Sequence, residues 1–274
     1  MFILVVTIYA LYNILTQRSS NQTIIIPKPI IGINPESEKI MNYKKMQSNL
    51  KNLIINPTPR VAIGLCLDTS WSMYGRRMDE LNRGVHQLLH EIDQDDLTRS
   101  SAEISIVTFD STVQCITDFN TVDQLQPPTL QANGNTYMGE GLVEMLEQLE
   151  KRKNQYKAAG VDYYQPILVL MSDGKPNGDK QVLETVTRHI QQLRDQRKLS
   201  VIAVGIDQDA DMEILRRIGG NKTFHLQGLQ FREFFAWLSQ SVSSVSASMP
   251  GNEPDFNLEA LKKLESQPWP DESL

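Results

Sequence analysis

Two apolar runs, each ending in an acidic loop, constrain this chain more than any other feature. Val61-Ala62-Ile63-Gly64-Leu65-Cys66-Leu67 leads into Asp68-Thr69-Ser70-Trp71-Ser72, and Pro166-Ile167-Leu168-Val169-Leu170 leads into Met171-Ser172-Asp173-Gly174. Short apolar runs bounded by turn residues read as buried strands. Between and after them, apolar residues recur every three or four positions. Met78, Leu81, Val85, Leu88 and Ile92 mark a helix over about 77–92. Leu142, Met145, Leu146 and Leu149 mark one over 139–158, and Val182, Val186, Ile190 and Leu193 one over 179–196. Further strands are expected at 103–109, 112–117, 199–205 and 223–226, with a short helix near 210–218 and a last helix at 230–245. Strands alternating with amphipathic helices give a mostly parallel sheet covered on both faces. The connection at Asp110-Ser111 is too short for a parallel crossover, so 103–109 and 112–117 pair antiparallel.

Open α/β sheets gather ligands beyond the carboxyl ends of their strands. There this chain places Asp68, Ser70 and Ser72 on one loop and Asp173 on another. Gly134-Asn135-Thr136-Tyr137-Met138-Gly139 offers a further hydroxyl, that of Thr136. Carboxylate and hydroxyl oxygens of this kind suit hard divalent cations such as Mg²⁺. Any one of these residues alone would read as a helix cap or a turn; the combination points to a metal.

The set Asp68, Ser70, Ser72, Thr136 and Asp173 resembles the metal-ion-dependent adhesion site of von Willebrand factor type A (VWA) domains. The resemblance runs over about residues 56–250. Asn56-Pro57-Thr58-Pro59-Arg60, Ile106-Val107-Thr108-Phe109-Asp110, Phe231-Arg232-Glu233-Phe234-Phe235-Ala236-Trp237-Leu238 and Ser243-Ser244-Val245-Ser246 are similar to a bacterial, intracellular subgroup linked with tellurium resistance. The resemblance implies a Rossmann-like α/β fold, with a mostly parallel central sheet, one antiparallel edge strand and helices on both faces. It implies that Ser70 and Ser72 ligate Mg²⁺ directly, with Mn²⁺ or Ca²⁺ as alternatives. Thr136 ligates directly or through water, and Asp68 and Asp173 stand beside the ion. A protein partner's Asp or Glu then completes the shell. Relatives of this kind sit near PP2C-type phosphatases and Ser/Thr kinases, which makes either a candidate partner in phospho-signalling, stress response or phage defence. Trp71 departs from the pattern, which has glycine there.

The net charge of −6, without a Lys/Arg block, argues against a nucleic-acid binder. Cys66 and Cys115 form no CxxC pair. In the family's strand order they lie two strands apart, too far to bridge, and both read as packed, reduced thiols of a cytoplasmic protein. Residues 1–16 are strongly apolar but short for a membrane span. They read as a membrane anchor, an amphiphilic tail or an artefact of start-codon choice. If they insert, the lysines that follow keep the domain in the cytoplasm. Residues 17–55 read as a linker, 56–250 as the VWA domain and 251–274 as a polar tail.

Other residues have a chemical and a plainer reading. Asp110 reads either as a residue behind the metal ligands or as a turn residue. Trp71 and Tyr74 read as an aromatic rim, or Trp71 as loop packing. Asp179 reads as a helix cap. Asp95, Asp96, Asp207, Asp209 and Asp211 read as solvated loop residues. His86 and His90 lack the Glu and the third ligand of a zinc helix. No P-loop is present, and Gly139-Glu140-Gly141 fails the dinucleotide fingerprint. The expected activity is therefore non-enzymatic, metal-dependent protein binding. The alternatives are a metal-assisted hydrolase and a membrane-tethered scaffold with a structural metal.

Overall fold

The computed structural model describes residues 53, 55, 56, 58–226, 230–250 and 256–265. The apolar segment 1–16 and nearly all of the 17–55 linker lie outside the described residues. Six strands form one sheet in the order β3-β2-β1-β4-β5-β6. They are β1 (Val61–Asp68), β2 (Ala102–Phe109), β3 (Val113–Thr121), β4 (Ile167–Ser172), β5 (Ser200–Ile206) and β6 (Thr223–Leu226). Only β3 runs antiparallel, at the edge beside β2. The helices are α1 (Arg76–Asp93), α2 (Asp96–Ser101), α3 (Met138–Ala159), α4 (Lys180–Asp195), α5 (Met212–Gly219), α6 (Phe231–Ser246) and α7 (Leu258–Glu265). The fold is thus the α/β Rossmann-like arrangement expected, with a mostly parallel sheet, one antiparallel edge strand and helices around it.

β1 is buried along its whole length, so its alternate side chains face two cores. Val61, Ile63, Leu65 and Leu67 enter a core with Leu81, Val85 and Leu88 of α1 and Phe234, Phe235 and Leu238 of α6. Ala62 and Cys66 enter the other, with Leu142 and Met145 of α3 and Val182, Val186 and Ile190 of α4. Each fully buried Leu, Ile or Val contributes roughly 1.5–3 kcal/mol. Gly64 lies beneath α3, and a Cβ there would fall 2.2 Å from the Met145 sulfur.

Three differences from the sequence reading stand out. β3 continues to Thr121 through two register irregularities. The segment read as a polar tail contains α7, with Phe256 and Leu261 buried, and the Trp237 indole N–H donates to the Asn257 carbonyl at 2.8 Å. Cys115 is exposed on β3 rather than packed, while Cys66 is buried, its thiol pushed up by burial; both are free.

At the amino ends of the strands sits a buried ionic cluster. Glu103 of β2 accepts two hydrogen bonds from Arg152 of α3, at 2.6 and 2.8 Å. It also accepts one from the Tyr156 hydroxyl, and Arg60 lies 3.5 Å away. Arg60 reaches the carbonyls of Asn56 and Ser100 as well, joining the entry to β1 to the end of α2.

Candidate metal centre

The carboxyl ends of β1 and β4 lie side by side, with Leu67 opposite Met171. Each strand then releases its acidic loop. Asp68 is fully buried and accepts the Ser70 backbone N–H at 2.8 Å and the Ser172 hydroxyl at 2.5 Å. Ser70 and Ser72 hydroxyl oxygens are 3.0 Å apart. The Ser72 hydroxyl donates to Asp173 Oδ1 at 2.7 Å. Thr136 arrives from a separate loop. Its N–H donates to the Asn177 side-chain oxygen at 2.7 Å, and the Asn177 N–H returns to the Thr136 carbonyl at 3.1 Å. A Cβ built on Gly174 would stand 3.5 Å from Thr136 Oγ1 and 3.6 Å from Ser72 Oγ, so both hydroxyls converge on that glycine. All five residues picked from the sequence therefore meet at one place.

The loops are stitched together by their backbones. Thr69 N–H donates to the Phe109 carbonyl, Asn133 N–H to the Thr69 carbonyl, and Trp71 N–H to the Gly134 carbonyl at 3.0 Å. Trp71 opens a single 3-10 turn, Trp71–Met73, with negative φ, and therefore tolerates a side chain. Gly75, at φ +79° and ψ −132°, takes a positive-φ conformation that favours glycine and leads into α1. Trp71 is 61% and Tyr74 69% exposed, and their rings stack at 5.1 Å. This exposed pair is a rim, not packing against a neighbouring loop.

Burial of two carboxylates in one place has an electrostatic cost. Burial pushes Asp68 up to about 6, and the neighbouring Asp173 charge adds to the rise against the hydrogen bonds from Ser172 and Ser70. Asp173 is likewise raised by burial, with Ser72 and Arg77 opposing. A pair of buried acids flanked by hydroxyls and held above the usual carboxylate range is a donor set that a hard cation would relieve. Among the described residues no three His, Cys, Asp or Glu side chains converge as a metal cluster. The chemistry here is two carboxylates among hydroxyls, an all-oxygen donor set of the kind hard divalent cations take.

Four contributors escaped the sequence reading. Ser172 ends β4 and Asn177 lies on the loop after it, yet both act on residues far away in the chain. Arg77, in the first turn of α1, contacts Asp173 Oδ2 at 2.7 Å and Asp207 Oδ2 at 2.7 Å. Asp207, read as solvated, follows the carboxyl end of β5. Applying the strand-end rule to a third strand would have found it; nothing local flags Arg77. Asp110 resolves as a turn residue, its carboxylate accepting from Thr112 N–H at 2.6 Å, while its carbonyl accepts the Tyr137 N–H. Asp95, Asp179 and Asp211 cap α2, α4 and α5. His86 contacts the Pro128 carbonyl.

Comparison with known proteins bears on the family and the fold. No curated protein matches the chain. Among solved structures, the pilus adhesin SpaC from Lactobacillus rhamnosus GG is 13% identical with a TM-score of 0.52, over 68% of this chain and 31% of the adhesin. Proximal thread matrix protein 1 from the mussel byssus, in a structure with a zinc-occupied MIDAS motif, is 19% identical with a TM-score of 0.47, over 68% of this chain and 48% of that protein. The chain thus spans under half the length of either, and the likeness to the adhesin shows the fold alone. The profile of the von Willebrand factor type A domain matches residues 62–235, well over half of the sequence, and the chain belongs to the VWA domain family.

Proposed function

We propose that this VWA domain is a non-enzymatic, divalent-cation-dependent protein-binding module. One observation carries the reading: Asp68, Ser70, Ser72, Thr136 and Asp173 converge at the carboxyl ends of β1 and β4, beside an exposed aromatic pair. Ser70, Ser72 and Thr136 would hold the ion, with Asp68 and Asp173 balancing its charge. Mg²⁺ suits this oxygen set, and Mn²⁺ or Ca²⁺ would be accepted. When bound, the ion supplies a positive centre for one more carboxylate oxygen, an Asp or Glu of a protein partner. Charge-assisted contacts of this kind gain strength in a partly desolvated site. Against hydrolysis, both carboxylates of the set accept hydrogen bonds, which occupies oxygens a general base would use.

The motifs similar to the tellurium-resistance subgroup support a cytoplasmic role in stress response, phage defence or phospho-signalling, with a PP2C-type phosphatase or a Ser/Thr kinase as the partner. No helix among the described residues is long and apolar enough to cross a membrane. The test is a pull-down from lysate in Mg²⁺, in EDTA, and with Asp68→Ala in Mg²⁺. The partner should be retained only by the wild-type protein in Mg²⁺. Equal retention under all three conditions would move binding to another surface.

The stacked Trp71–Tyr74 pair should contribute to the same contact. Trp71→Gly is expected to leave Mg²⁺ affinity unchanged and to weaken partner binding by ~2 kcal/mol, the scale of a buried interface aromatic. Surface-binding measurements with the captured partner would check it. An unchanged affinity would exclude the pair from the interface.

A further inference from the structure

The centre carries a cation of its own. Arg77 Nη1 lies 2.7 Å from Asp173 Oδ2 and 3.1 Å from the Ser72 carbonyl, so it rests on two members of the ligand set. Its Nε lies 2.7 Å from Asp207 Oδ2, and its Nη2 3.6 Å from Asp209 Oδ2. Both oxygens of Asp173 are therefore engaged, Oδ1 by the Ser72 hydroxyl and Oδ2 by the guanidinium. The tether is independent of the ligand set. Asp207 adopts φ +58°, a left-handed conformation uncommon outside glycine, asparagine and aspartate. Its N–H donates to the Leu226 carbonyl at 2.9 Å, and its own carbonyl contacts the His225 ring. Backbone conformations of this kind persist where surrounding structure holds them. Here that structure aims a carboxylate at Arg77.

We propose that Arg77 is an internal counter-cation that lowers the centre's intrinsic affinity for divalent ions, so that firm retention of the ion requires an added carboxylate. This rests on the reading of the site as a divalent-cation centre. The physical basis is Coulombic. A guanidinium remains charged at any working pH. Fixed on Asp173, it neutralises part of the negative charge that a divalent ion would meet, and it repels the ion directly at short range in a partly buried site. Arg77 keeps Asp207 and Asp209 as partners even when Asp173 turns to an ion, so the repulsion persists. A carboxylate brought by a partner would offset it. The opposing possibility is that Arg77 only clamps α1 to the loops after β4 and β5. Removing a clamp would loosen the ligands and weaken ion binding, which is the opposite sign.

The experiment uses the full chain and Mn²⁺ as probe, with free Mn²⁺ read by electron paramagnetic resonance and Mg²⁺ checked by calorimetry. Arg77→Met is expected to bind Mn²⁺ about tenfold tighter than the wild type, and to unfold at lower temperature in EDTA because its carboxylates lose their cation. Arg77→Gln, which retains a hydrogen-bond donor, should tighten binding too and covers the event that the methionine variant folds poorly. Arg77→Lys should stay close to wild type. Tighter binding by the neutral variants, or binding that appears only in them, supports the proposal. Wild-type binding with equal or weaker affinity in both neutral variants overturns it and leaves the metal centre standing. No Mn²⁺ binding by any of the proteins overturns both.

Discussion

Asp68→Asn is expected to abolish divalent-cation binding and to stabilise the domain in chelator. The two effects have one cause. The wild-type carboxylate is fully buried and pushed up to about 6 from an ordinary 3.8. Because the folded value lies above the unfolded one, the folded state holds the extra proton between them. Stability from this group is therefore gained as pH falls through about 6 toward 3.8, and the penalty is complete above 6. Above pH 6 that penalty is on the order of 3 kcal/mol. Asparagine removes the charge while its oxygen can still accept the Ser70 N–H and its amide can donate to the Ser172 hydroxyl. In EDTA the variant should gain up to that amount at pH 8 and almost nothing near pH 4. In Mg²⁺ it should show no binding heat, as should Asp68→Ala and Asp173→Ala. Wild-type affinity should also fall as pH drops below about 6, where a proton competes for Asp68. Thermal unfolding at two pH values with parallel calorimetry decides the matter. Retained Mg²⁺ binding, or a loss of stability at pH 8, would count against the assigned role of Asp68.

Glu103→Gln should produce the largest loss of stability. Glu103 is the only carboxylate placed between Arg60 and Arg152 among the contacts described, and both guanidiniums are almost fully buried. Removing one partner of a buried pair leaves uncompensated charge, at about 3–5 kcal/mol. In a domain of this size that is about 10 °C in Tm. The Tyr156 hydroxyl also loses its charged acceptor. Because the cluster lies at the amino ends of the strands, Mg²⁺ affinity of the folded protein should be unchanged. Denaturant unfolding in EDTA and calorimetry in Mg²⁺ separate the two readouts. A cost under ~1 kcal/mol would mean that Arg60 is served by the Asn56 and Ser100 carbonyls, and Arg152 by the Gln155 side chain, without Glu103.

What could be read from the sequence follows from the range of the interactions. Strands β1 and β4 announce themselves as bounded apolar runs and helices α1, α3 and α4 by local periodicity, and their bounds agree with the reading within a residue or two. The five converging oxygen-bearing residues were legible because each sits just past a strand or at a glycine-bounded loop. The far half of β3 was not. It carries Asp118, Asn120 and Thr121 at the sheet edge, and its irregular register destroys simple alternation. Helix α2 has six residues, too few for a period. Helix α7 is polar in composition and depends on Phe256 and Leu261 finding the core. Arg77 was illegible for a different reason: it contacts a residue 96 positions away, and no local pattern encodes that distance.

The parallel register of β1 and β4 has a practical consequence for anyone wishing to move this centre to another scaffold. Asp68 and Asp173 hang from neighbouring strands whose offset is set by backbone hydrogen bonds, with Leu67 beside Met171. Their spacing is a property of the sheet and travels only with both strands. Thr136 comes from a loop and is held through Asn177. A graft that copied the three loops onto strands of shifted register would carry every required residue and still separate the two acids. Loop redesign around Thr136, by contrast, would retune the centre while leaving its acidic half in place.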